Sequence, residues 1–186
     1  MPARLIAACA VAVFGASVLG GCGLFGDDVT EPARTAPATL VLTSPAFEDG
    51  GTVPQRYTCT GRNESPPLQW SGVPDDAGSL ALVVSDPDAP GGTYVHWVVF
   101  NLDKATRSLP AGALPAGTLQ ARNSAGHARY DGPCPPNGTH QYRFTVYALR
   151  SATTLDNGID TTRALDAIDA KAIGRGTLVG TVTAAG

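Results

Sequence analysis

The sequence has no run of lysine and arginine and no stripe of alternating aromatic and basic residues, and its formal net charge is −3. It therefore lacks the electrostatic footprint that a nucleic-acid phosphate backbone requires. There is no HExxH helix, no GxSxG nucleophile elbow and no P-loop, which removes the commonest routes to a zinc peptidase, an α/β hydrolase or a nucleotide hydrolase. Charged residues are few, 16% of the chain, against 22 glycines and 15 prolines. That balance fits a loop-rich β protein better than a helical bundle. Gly174, Gly176 and Gly180 have a spacing faintly similar to a dinucleotide loop, but they follow a predicted helix and precede a strand, the wrong order for one. Internal repeats are absent. Histidine is scarce, with three residues, and cysteine numbers four.

What is present begins with an export signal. Residues 1–21 carry Arg4 in the n-region, an apolar stretch from Leu5 to Val18, and an LGGC ending at Cys22. The apolar run is short for a membrane span, and small residues ahead of a cysteine form a bacterial lipobox. Cys22 is thus predicted to become the lipidated first residue of a protein held at the extracytoplasmic face of the cell membrane. The competing reading is an ordinary signal peptide cut elsewhere. Each buried methylene contributes about 0.8 kcal/mol, so two or more acyl chains suffice as an anchor. Loss of residues 1–21 removes Arg4 and no acidic residue, taking the charge from −3 to −4. The anchor, not the domain surface, then does the membrane binding. Residues 22–39, polar and carrying Pro32 and Pro37, read as a tether. Residues 40–186 are left for one domain with one core.

Within the domain the pattern predicts strands at Leu40–Ser44, Leu68–Trp70, Leu80–Ser85 and Thr177–Thr183. Tyr57–Thr60 reads as extended. A short helix, capped by Thr161 or Thr162 and running to about Ala172, has Gly174 as its stop signal. The fold class is mainly β, with one or a few short helices.

Two stretches dominate. Ser85–Leu102, SDPDAPGGTYVHWVVFNL, joins a stiff loop to an apolar strand. Alternation sets Tyr94, His96, Val98, Phe100 and Leu102 on one face and Val95, Trp97, Val99 and Asn101 on the other. Tyr130–Leu149, YDGPCPPNGTHQYRFTVYAL, repeats the plan, with His140, Tyr142, Phe144, Val146 and Ala148 on one face. Rigid loops at the ends of buried strands are where binding groups are held. The imidazole N–H, tyrosyl O–H and backbone N–H groups gathered in these stretches suit a phosphate or carboxylate.

DPDAP before a His-Trp strand, YxGPxPPxGxHxYxFxVYAL after it, and YTCTGRNESPPLQWSGVP upstream together resemble the phosphatidylethanolamine-binding protein (PEBP) family, in particular its bacterial branch. The resemblance spans about Leu40 to Val182. It implies a β-sandwich of two packed sheets with peripheral helices and an anion pocket. Residue by residue, Asp86, His96, Tyr130, Gly132, Pro136, His140 and Tyr142 occupy positions similar to the family's site, and Asp88, Ala89 and Pro90 complete its first loop. Asp86 is expected to accept a hydrogen bond from a histidine, fixing its tautomer and favouring the protonated ring.

With Cys9 lost in the signal and Cys22 lipidated, Cys59 and Cys134 remain. An even pair in an exported protein suggests a disulfide tying the Tyr57 segment to the pocket loop; the alternative is two buried free thiols. The expected function is non-enzymatic binding of a small anionic ligand or phospholipid headgroup, with no cofactor and no metal. Two alternatives stand beside it. One is an inhibitor of a protease or other envelope enzyme acting through its loops on an unidentified protein target. The other is a hydrolase using Asp86, His96 and His140, with or without zinc.

Overall fold

The computed structural model describes residues 36–185. The signal sequence, Cys22 and most of the tether lie outside them. Nine elements of regular structure form two antiparallel sheets and one helix, together with a 3-10 turn at Gln55–Tyr57. The smaller sheet contains β1 (Val41–Thr43), β2 (Leu68–Ser71) and β5 (Ser108–Leu109), in the order β1-β2-β5. The larger is built from β3 (Ser79–Asp86), β4 (Tyr94–Leu102), β6 (Leu119–Gln120), β7 (Thr139–Leu149) and β8 (Ala172–Thr183), in the order β6-β4-β3-β7-β8.

β3 sits at the centre of the large sheet, and every one of its residues is buried. Its β-branched and leucine residues serve two cores. Leu80, Leu82 and Val84 meet Leu42, Leu68, Trp70 and Leu109 of the small sheet, alongside Phe144 and Val146 of β7. Ala81 and Val83 face the other way, towards Ala164, Leu165 and Ile168 of α1 (Thr161–Asp169). The molecule is thus a two-sheet β-sandwich with one helix on the outer face of the larger sheet, as the sequence pattern and the resemblance predict. Among the described residues no helix is long and apolar enough to cross a membrane.

Three local expectations are corrected. The segment after Pro54 coils into the 3-10 turn instead of extending, because the Tyr57 N–H returns to the Pro54 carbonyl and the Thr58 hydroxyl donates to Gln55 O. The helix cap is Asp160, whose carboxylate accepts the Arg163 N–H at 2.9 Å, a contact contributing about 1 kcal/mol. That helix ends at Asp169, since Ala172 has already joined β8 opposite Leu149. Gly174 therefore lies inside a strand.

The glycines of β8 have a packing role. A Cβ on Gly176 would stand 2.4 Å from the Leu40 carbonyl oxygen, and one on Gly180 2.4 Å from a Val53 methyl. Their absence of side chains lets the chain around β1 lie directly on the edge strand. The packed region also starts before Leu40. Ala36 is buried, Ala38 bridges Arg175 in parallel, and the Arg175 guanidinium donates to the Ala36 carbonyl.

Candidate functional site

β3 and β7 run antiparallel as neighbours, with Ser85 opposite Arg143, so the C-terminal end of one lies beside the N-terminal end of the other. This register brings Asp86 to His140. The His140 Nδ1–H donates to Asp86 Oδ2 at 2.7 Å, and both side chains are more than nine-tenths buried. The other Asp86 oxygen accepts the Asp88 N–H at 2.9 Å and begins the DPDAP turn. Asp88 in turn accepts the Gln141 N–H at 2.8 Å, pinning the loop back onto β7.

His96 reaches the same place by an irregularity. Val84 pairs with Trp97 and Ser85 with Val95, which leaves His96 as the extra residue of a β-bulge. A bulge bends the strand and re-aims a side chain. Strict alternation would put His96 with Val98 and Phe100, yet those two face the helix side together with Val95. His96 instead stands with Trp97 on the inter-sheet side, its ring edge-on to Tyr142 at 5.3 Å and tilted against Tyr94 at 4.8 Å. A second irregularity near Asn101, whose φ is +57°, moves Leu102 to the inter-sheet core as well.

The His96 Nδ1–H donates to the backbone carbonyl of Asp131 at 2.7 Å. Asn123 secures that segment, its amide donating to His96 O and Arg129 O, both at 3.2 Å, and to Asp131 Oδ2 at 2.8 Å. The Asp131 carboxylate also accepts from His127 Nδ1 at 2.6 Å and Arg129 Nε at 3.1 Å.

Burial holds the His96 pKa below the ordinary imidazole range, only partly offset by the Asp131 carbonyl. The ring is therefore neutral near pH 7, with its proton on Nδ1 and Nε2 left as an acceptor. Burial pushes the Asp131 carboxyl up, but the hydrogen bonds from His127, Asn123 and Arg129 together hold it below the usual range. Burial first, then the Asp131 charge, raises the Tyr94 phenol.

These groups surround one cavity of about 510 Å³. Of the residues predicted for the site, Asp86, Pro90, His96, Gly132, Pro136 and His140 line it, as does Ala89. Gly132 fits because a Cβ there would lie 2.7 Å from the Tyr57 carbonyl oxygen. Three predicted residues do not line it. Asp88 spends its carboxylate on the β7 backbone. Tyr130 is turned away, its hydroxyl donating to Tyr57 O at 2.8 Å and its ring packed edge-on against Trp97. Tyr142 lies against both histidine rings. Its hydroxyl is fully buried with no hydrogen bond of good geometry among the described residues. Burial, then the nearby Asp86 charge, raises its pKa.

Cys59 and Cys134 form a disulfide that is itself part of the cavity wall, and both residues are exposed. The pairing joins the two segments expected, although the sulfurs' surroundings are open. The cavity also includes Asn63, Tyr94, His127 and Asp131, which sequence reasoning missed. Asp131 stands next to a singled-out tyrosine, but it acts on His96 through a carbonyl that any residue possesses. Among the described residues no cluster of three or more His, Cys, Asp or Glu side chains is arranged to hold a metal ion.

Known proteins share the fold that carries this site. The family profile for phosphatidylethanolamine-binding protein matches residues 43–183. A UPF0098 protein of Methanothermobacter thermautotrophicus is 44% identical over 144 residues, which are 75% of this chain and 95% of that protein. A Mycobacterium tuberculosis protein provisionally named lipoprotein LppC is 45% identical over 179 residues, 88% of this chain and 89% of the relative. Among solved structures, a Chlamydia trachomatis PEBP homologue superposes with a TM-score of 0.74 at 38% identity, covering 79% of this chain and 99% of that one. Escherichia coli YbcL, described as a member of the mammalian PEBP family, gives 0.75 at 32% identity, with coverages of 80% and 100%.

Proposed function

The chain belongs to the phosphatidylethanolamine-binding protein family, and from that premise we propose that it is a non-enzymatic binding protein whose histidine pocket takes a small phosphate- or carboxylate-bearing ligand. One observation carries the reading. Two imidazoles from remote strands line a single cavity, and each has its Nδ1 committed to a protein oxygen. Nε2 is then the ring atom left to a ligand, and it donates only when the ring is protonated. Binding of an anion is accordingly coupled to proton uptake. His140 has the Asp86 carboxylate behind it, whereas His96 has only a backbone carbonyl.

Calorimetry with inorganic phosphate, in buffers that differ in ionisation enthalpy, tests this. The expected result is net proton uptake and an affinity that falls as pH rises through the imidazole range, nominally about 6.5. His140→Gln should lose most of the affinity. Heats independent of buffer and pH would sink the proposal.

We also propose attachment to the membrane through lipidated Cys22, on the extracytoplasmic side. Support comes from the LGGC motif and from a relative named as a lipoprotein. Cys22→Ala should move the protein from the membrane to the soluble fraction and abolish incorporation of labelled fatty acid. Continued labelling of that variant would rule the site out.

A further inference from the structure

Tyr130 faces away from the histidine pocket because it belongs to the wall of another cavity, of about 360 Å³. Trp97, Leu114, Gln120, Glu64 and Arg129 line that cavity with it. The two hollows adjoin. Asn63 lines both, and Arg129 of the second pairs with Asp131 of the first.

Most of the polar groups around the second cavity already have partners. Glu64 is paired with Arg56, and Arg129 with Asp131. The Trp97 indole N–H donates to Gln120 Oε1 at 2.7 Å. Ser65 Oγ accepts the Gly112 N–H at 3.2 Å, and the Tyr130 hydroxyl donates to Tyr57 O. An ionic guest would compete with these pairs. An apolar guest would leave them intact and rest against the partly buried Leu114 and the small exposed margins of Trp97 and Tyr130, 3% and 7% exposed. Between the cavities, Asn63 Oδ1 accepts the Gly132 N–H at 2.6 Å, and its Nδ2 has no hydrogen bond among the described residues. That amide is a donor on the ridge between the cavities.

We infer that the second cavity is a subsite for the apolar arm, a single ring or a short branched chain, of the same small molecule whose anionic group occupies the histidine pocket. An acceptor atom on the arm crosses over Asn63. The inference rests on the anion-binding reading and adds the class of ligand: an anion with one compact apolar substituent. A cavity of about 360 Å³ is near the lower end of small-molecule pockets. It accommodates one ring, not the paired chains of a membrane phospholipid.

The test titrates the protein with inorganic phosphate, with phenylalkyl phosphates carrying one to about four methylenes, and with the matching phenylalkyl alcohols. Trp97 is one of two tryptophans, so its indole N–H resonance reports the second cavity. The best phosphate with an arm should bind about tenfold tighter than inorganic phosphate and shift the Trp97 indole signal, which inorganic phosphate alone leaves in place. Leu114→Asp, and separately Ala113→Trp from the exposed loop, should erase that gain while inorganic phosphate binds as before. If inorganic phosphate binds but no arm improves on it, the inference is overturned and the anion-binding reading stands. A gain that survives both substitutions overturns it in the same way. If neither phosphate nor any armed phosphate binds, both fall together, whatever the alcohols do.

Discussion

His96 and His140 are equally hidden, each 6% exposed, and each gives Nδ1–H to an oxygen 2.7 Å away. In one case that oxygen is a carbonyl, in the other a carboxylate. A carbonyl orients an imidazole and contributes a partial charge; a carboxylate also stabilises the imidazolium. The supports differ as well. Asp86 belongs to the central strand of the large sheet, whereas Asp131 sits in a loop secured by Asn123 and adjoining the disulfide. One ring is thus held by a charged partner on a rigid frame, and the other by a neutral partner on a strapped loop.

The largest effect that would break this contrast comes from Asp86→Ala. Removing one partner of a buried pair should cost about 3 kcal/mol or more in denaturant unfolding and eliminate phosphate binding. A loss below about 1 kcal/mol would show that His140 does not depend on its carboxylate and that the two rings are equivalent. Next comes the strap. The double variant Cys59→Ser, Cys134→Ser opens a link with a sequence separation of 75 residues and should lower stability by about 3 kcal/mol. The NMR signals of His96 should move while those of His140 stay. Equal displacement of both would contradict the division between loop and sheet.

A smaller effect concerns pH. The folded-state pKa of His96 is lowered, so between that value and the unfolded value near 6.5 the unfolded chain binds more protons. Stability contributed at this site is therefore full above about pH 6.5 and declines as pH falls through that window. His96→Gln should flatten the acid side of the stability curve. An unchanged slope, or a His96 resonance titrating above 6.5, would refute the assignment. Smallest is Tyr142→Phe. The hydroxyl is buried near Asp86 with no hydrogen bond of good geometry and already carries its desolvation cost, so its removal should change stability by less than about 1 kcal/mol. A loss of about 2 kcal/mol would reveal a bond to the Asp86 side of the pocket that the geometry does not show.

β7 was fully legible from sequence, since plain alternation holds and places Tyr142, Phe144, Val146 and Ala148 together in the inter-sheet core. β4 was legible in extent but not in facing. Its ends fall at Tyr94 and Leu102 as predicted, yet two bulges exchange its sides, and a bulge leaves no dependable mark on side-chain periodicity. For the site, the residues that present side chains to the cavity could be read from the two loop-strand stretches. Those that work through the backbone, above all the Asp131 carbonyl, could not. Tyr130 shows the converse limit: its place in the chain was recognisable, but its direction depends on the distant Tyr57 carbonyl. The helix cap moved from Thr161 to Asp160 because a carboxylate one residue earlier meets the same orphan amides.

The docking of Ala36 beside Arg175 fixes where the polypeptide enters the folded body. Arg175 lies across from Tyr147, whereas the ligand cavity is at the His140 end of β7, roughly 24 Å away at about 3.4 Å per residue. Under the proposed attachment the leash would join the domain at the pole away from the cavity, so the entering chain does not cover the cavity mouth.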